Sequence, residues 1–135
     1  MITIGKIAEQ AGTTIDAVRY YEEEGLLLPT AKSGSGYRLY DAQAVRRLRF
    51  IRRAIDGGFT LAEVRALLEV RQATSACCGD VRKLAIEKKL QIEGNIRALK
   101  VQSAQLDELI ADCTDASGTL DECPILDALD RPRQG

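Results

Sequence analysis

A chain of 135 residues with 45% apolar content holds enough material for one compact domain plus a protruding element. It contains no histidine, which removes imidazole as a metal ligand, general base or triad member, so an enzyme is not expected. The net charge of −1 hides an asymmetry: nine Lys/Arg against six Asp/Glu in residues 1–55, then ten against fourteen in residues 56–135. A basic front and an acidic back suit a DNA-binding head with a separate sensing end. No signal peptide and no membrane-length apolar run is found, so the sequence reads as cytoplasmic, with no membrane partner. Four cysteines in a reducing compartment favour metal binding or redox chemistry over structural disulfides.

In chain order, Thr3 is placed to cap a first helix, Ile4 to Ala11, ending at Gly12. Thr13 or Thr14 caps a second, Ile15 to Glu24, stopped by Gly25. Two short helices joined at a glycine form a helix-turn-helix. The second helix carries Thr14, Ile15, Asp16, Arg19, Tyr20 and Tyr21, a mixture suited to a groove: Arg for guanine or phosphate, hydroxyls for phosphate. A small helical core with a surface arginine accounts for the same pattern. After Pro29 the Ser/Gly segment reads as a flexible loop, and Tyr37-Arg38-Leu39-Tyr40 alternates as a short strand would. A hairpin here makes a wing, with Tyr37 and Arg38 near its tip and able to reach phosphate.

A third helix from Asp41 sets Arg46, Arg49 and Arg53 along one face, with Arg47 and Arg52 widening the basic surface, and ends at Gly57-Gly58. Thr60-Leu61-Ala62-Glu63 reads as a capping box for a fourth helix to about Val70. Arg71 to Ala76 reads as a polar hinge. Gly79-Asp80 then supplies a turn and cap for a long helix, Val81 to Asp112. Along it a coiled-coil seam recurs at Ala85, Ile92, Ile96, Leu99, Ser103, Leu106 and Ile110, broken near its start by Lys89. Thr114 to Glu122 is a loop of small and acidic residues, and Pro124 opens a short amphipathic helix just after Cys123. The tail Arg131 to Gly135 is expected to be disordered.

The cysteines bracket the long helix: Cys77 and Cys78 before it, Cys113 and Cys123 after it. At ~1.5 Å per residue the helix from Cys78 to Cys113 spans roughly 50 Å, so those two cannot share an ion within one chain. Antiparallel pairing of two such helices brings Cys78 of one subunit to Cys113 of the other, twice per homodimer. A three-thiolate pocket results, with Cys77 as a further candidate.

Ile4-Gly5-Lys6-Ile7-Ala8, Val18-Arg19-Tyr20-Tyr21-Glu22, Gly25-Leu26-Leu27 and Gly36-Tyr37-Arg38-Leu39-Tyr40, in that order, resemble the MerR family of bacterial winged-helix regulators. The resemblance implies a mainly α fold: a winged helix-turn-helix DNA-binding domain at 1–75, a hinge and antiparallel dimerisation helix at 76–112, and a metal-binding loop with a short helix at 113–135. The residues it marks for DNA are Thr14, Ile15, Arg19, Tyr20, Tyr21, Tyr37 and Arg38. In the metal-sensing members one cysteine precedes the long helix, one ends it and one follows a loop; Cys78, Cys113 and Cys123 match. The copper(I) branch typically lacks the first of these. The zinc branch adds a cysteine where Thr114 stands here, and a loop histidine. Thiolate-only ligation suits cadmium, lead or mercury ahead of zinc as effector. The resemblance further implies a promoter with an overlong spacer, underwound on metal binding so that RNA polymerase engages both of its elements.

Two other readings compete. One is an oxidation sensor of the same family, disulfide or iron–sulfur, although the iron–sulfur type groups four cysteines after the long helix. The other is a thiol enzyme or metal-binding protein with no DNA role, for which no base accompanies the thiols.

Overall fold

The computed structural model describes residues 1–132; residues 133–135 of the expected disordered tail lie outside the described residues. The elements run β1 (Ile2–Thr3), α1 (Ile4–Gln10), α2 (Ile15–Glu23), β2 (Ala31–Lys32), β3 (Arg38–Tyr40), α3 (Ala42–Asp56), α4 (Leu61–Gln72), α5 (Cys78–Asp112), a 3-10 turn at Leu120–Glu122, and α6 (Pro124–Asp130). The fold is mainly α, with a winged helix-turn-helix at its start. By its internal packing the chain divides into two units, the second beginning at Lys89 within α5.

Four helices of the first unit start the same way. Thr3, Thr14, Asp41 and Thr60 sit in extended backbone and accept from the N–H of Lys6 (3.4 Å), Ala17 (3.1 Å), Ala44 (2.9 Å) and Glu63 (3.2 Å). Each such cap contributes about 1 kcal/mol by satisfying an N–H the helix leaves open. At Thr60 the box closes, since Glu63 Oε1 accepts from the Thr60 N–H at 2.8 Å. Between α1 and α2 the chain turns at Gly12 with φ +68°, a conformation that only glycine adopts without strain.

Against these helices lies an antiparallel sheet of order β1-β3-β2, with Ile2 opposite Tyr40 and Lys32 opposite Arg38. β1 was not expected; two residues are too few to show a period, and Thr3 serves both as strand and as cap. The Ser/Gly segment, read as a flexible loop, is a tight turn. Ser33 donates its N–H to Tyr37 O (2.7 Å), and its carbonyl and hydroxyl accept from Gly36 (2.9 Å) and Tyr37 (3.0 Å). Ile7, Val18, Tyr40, Leu48, Ile51 and Val64 are fully enclosed, so each helix of the head gives at least one side chain to a single core. Burying each aliphatic member stabilises the fold by about 1.5–3 kcal/mol.

α4 continues two residues past Val70, which leaves only 73–77 between it and α5. α5 begins at Cys78 rather than Val81. Asp80, expected as the cap, lies inside the first turn, and its Oδ2 accepts from the Cys77 N–H at 2.9 Å. A carboxylate in the first turn also suits the helix dipole, so Gly79 is carried as a helical residue. In the second unit α5 runs on to Asp112, and the 3-10 turn leads directly into α6.

Candidate nucleic-acid face and cysteine loop

The residues expected at DNA fall on three surfaces. Thr14 spends its hydroxyl on the cap of α2, and Ile15, Arg19 and Tyr20 project from that helix, all exposed. Arg19 is only loosely paired with Asp16, at 4.0 Å. Tyr37 stands at the wing, 70% exposed. Tyr21 is a correction: it is 4% exposed, and its ring belongs to the core. The i, i+3 spacing to Val18 puts both on the inner face of α2, so an aromatic hydroxyl in the motif is not by itself a groove contact. Hydrogen bonding to Tyr21 is the main cause that raises the Arg52 pKa above its ordinary value.

Arg38 differs from the expected free wing cation. Its Nη1 lies 3.2 Å from Glu22 Oε2, while the Tyr40 hydroxyl donates to Glu22 Oε1. Burial and this hydrogen bond, with the Glu22 charge behind it, push the Tyr40 phenol well above the ordinary tyrosine range. Sequence reasoning quoted Glu22 in a motif but gave it no role, because its two partners lie across the fold. Arg19, Glu22, Lys32 and Arg38 together line a groove of about 490 Å³ between α2 and the wing.

Along α3, Arg46, Arg49 and Arg53 are exposed as expected. Arg47 and Arg52 are engaged within the head: Arg47 Nε donates to Leu26 O (2.6 Å), and Arg52 pairs with Asp56 (3.1 Å). The Asp41 carboxyl at the start of α3 is held below its ordinary value, chiefly by the Ala44 N–H.

All four cysteines are free thiols. Cys77 and Cys78 are exposed at the start of α5, and a Cβ added at Gly79 would sit 3.4 Å from Cys77 Sγ. Cys113 and Cys123, half-buried, line one hollow of about 200 Å³ with Asp115, Thr119, Leu120 and Glu122. The segment between them is built, not slack. Asp115 Oδ1 accepts from the N–H (3.1 Å) and hydroxyl (2.8 Å) of Ser117, and its carbonyl accepts from Gly118 (3.1 Å). A Cβ at Gly118 would come 3.2 Å from that carbonyl, so the turn favours glycine there. Among the described residues, no group of three or more His, Cys, Asp or Glu is placed to hold a metal ion. None of their helices is long and apolar enough to cross a membrane.

Two family profiles match: "MerR HTH family regulatory protein" over residues 2–70, and "MerR, DNA binding" over residues 45–123. The HTH-type transcriptional regulator HmrR of Sinorhizobium medicae is 34% identical over 128 residues, 95% of this chain and 86% of that protein. The mercuric resistance operon regulatory protein of Bacillus cereus is 36% identical over 126 residues, 93% of this chain and 95% of that one. In structure, the transcription regulator PbrR691 from Ralstonia metallidurans CH34, crystallised in complex with lead(II), superposes with a TM-score of 0.83 at 36% identity, covering 96% of this chain and 99% of that one. From its first helix-turn-helix to its last cysteine, the chain belongs to the MerR family of regulatory proteins.

Proposed function

We propose that the chain is a homodimeric, metal-responsive transcription regulator that activates a heavy-metal resistance or efflux operon. The observation that carries this reading is the built loop, whose two ends bring Cys113 and Cys123 to one hollow at the end of a helix with an uncovered apolar seam. Two thiolates from one chain leave room for a further donor to a soft divalent ion, and the partner subunit's Cys78 supplies it. A helix of 35 residues rises about 50 Å, so the start of one α5 meets the end of another only in an antiparallel pair. The division that follows is 1–75 for the head, 76–112 for the hinge and dimerisation helix, and 113–135 for the metal loop. Cys113, Cys123 and the partner subunit's Cys78 would hold the ion, with Cys77 beside them.

The donor set of sulfur without imidazole favours cadmium, lead or mercury over zinc. A structural relative crystallised with lead(II) and a sequence relative named for mercuric resistance support a thiophilic ion as effector. The ion acts as an allosteric ligand: it contributes only through its preference for one conformation of the dimer. Thr14, Ile15, Arg19, Tyr20, Tyr37 and Arg38 hold promoter DNA, and RNA polymerase engages that promoter when the metal-bound dimer underwinds it.

Mixed dimers test the sharing of the site. Cys78→Ser and Cys113→Ser homodimers should each lose both metal ions. A heterodimer of the two, purified through two tags, keeps Cys78, Cys113 and Cys123 together at one end and should recover one cadmium ion, half the parental number. A folded heterodimer that binds none overturns the shared site.

A further inference from the structure

Glu22 is an anomaly on a surface meant for phosphate. A carboxylate in the midst of a DNA face repels the duplex, and this one lies in the same groove as Arg19, Lys32 and Arg38. Its side chain is nonetheless only 9% exposed, with both oxygens engaged: Oε1 by the hydroxyl of fully buried Tyr40, Oε2 by Arg38 Nη1 at 3.2 Å. Tyr40 is fixed from behind, since β1 and β2 flank β3 and its ring is enclosed. The chain of constraint runs from core to surface: a buried phenol holds a carboxylate, and the carboxylate holds a guanidinium that is still 46% exposed. Lys32 stands across the strand pair from Arg38.

We propose that Glu22 is the positioning residue of DNA binding. It fixes Arg38 so that its outer edge, Lys32 and Arg19 form one phosphate seat between α2 and the wing. This rests on the DNA-binding reading above. An arginine free at the start of a three-residue hairpin strand loses rotamer freedom when it meets phosphate; one already held loses less, and the saved entropy appears as affinity. Two effects of opposite sign therefore compete at Glu22, repulsion of the duplex and orientation of Arg38. Because the carboxylate is nearly buried and its bond to the half-exposed guanidinium is charge-assisted, orientation dominates.

Glu22→Gln separates them, because it removes the charge while keeping an oxygen for the Tyr40 hydroxyl. The probe is a 30-base-pair duplex enriched by the parent protein from a random pool, with affinity measured from low to moderate salt. Simple electrostatics has Glu22→Gln binding more tightly. Positioning has it binding about tenfold more weakly, with the log–log salt slope reduced by about one phosphate. Lys32→Ala should also lower the slope by about one. The double variant Glu22→Gln/Arg38→Ala should bind no worse than Arg38→Ala alone, whereas a merely structural role would add the two losses. Should Glu22→Gln melt below the assay temperature, Tyr40→Phe replaces it, removing only the hydroxyl at the same net charge, with the same loss of slope expected. Equal or tighter binding by Glu22→Gln, or additive losses in the double variant, overturns the proposal while leaving the DNA-binding reading intact. Failure of the parent to enrich any duplex overturns that reading and the inference with it.

Discussion

The winged head and the long helix treat their apolar residues in opposite ways. In the head, Ile7, Val18, Leu48, Ile51 and Val64 are sealed from water by the chain itself. Along α5, Ile96, Leu99, Leu106 and Ile110 repeat at seam spacing and remain open, Leu99 at 61% and Ile110 at 63%. Single exposed leucines are ordinary, but a stripe of them at a fixed period on one helix is the surface that the proposed antiparallel partner would cover. The head therefore closes its core within one chain, whereas under the proposed dimer the stability of the helix would depend on concentration.

The sharpest way to break that contrast is to charge the seam. Leu99→Asp/Leu106→Asp places two carboxylates per chain on the seam of the proposed dimer, and should abolish that dimer at micromolar concentration in sedimentation. Metal binding should go with it, while the melting of the head stays near parental. A dimer that persists would remove the seam from the interface. Next in size is the core: Leu48→Ala should cost about 2–5 kcal/mol in urea unfolding, independent of protein concentration. If that loss shrinks at high concentration, the head is not autonomous. The smallest effect concerns acid. The Glu63 carboxyl is held below its ordinary value of 4.5 by the Lys88 ammonium first and the Thr60 N–H second. A carboxyl with a depressed folded pKa adds stability that is present above that ordinary value and is lost as pH falls through the folded one. Lys88→Met should therefore flatten the decline in head stability below pH 4.5, followed by circular dichroism. An unchanged acid profile would show that the pair adds nothing there.

What could be read in advance follows the same division. Caps at Thr3 and Thr60 and the stop at Gly25 are local, written within four residues, and stand where the sequence places them, while of the two threonines offered for α2 it is Thr14 that caps. The start of α5 was misplaced by three residues because Asp80 caps from inside the first turn, a role that its position before an apolar run does not distinguish from an N-cap. Tyr21 was misassigned because a helix face is known only once its neighbours are known. Glu22 and Lys88 escaped for the same reason: the partners of Glu22 lie 16 and 18 residues on, and that of Lys88 lies 25 back. The cysteine pattern was visible in full. That two of the cysteines face one hollow is a property of the Asp115 turn, which composition alone reads as a loop.

Lys88 is the one buried charged side chain among the described residues, 6% exposed, with its Nζ 2.7 Å from Glu63 Oε1 and 5.8 Å from the centre of the Phe59 ring. That same Glu63 oxygen closes the cap of α4 on the Thr60 N–H. One atom thus answers to two masters, and the cap is conditional. If α5 turns about its axis, Nζ moves, and Oε1 must either follow it and release Thr60 or stay and release Lys88. The exchange rate of a single amide, Thr60, then becomes a gauge of the long helix, readable by hydrogen exchange at a residue with no thiol and no phosphate near it in sequence.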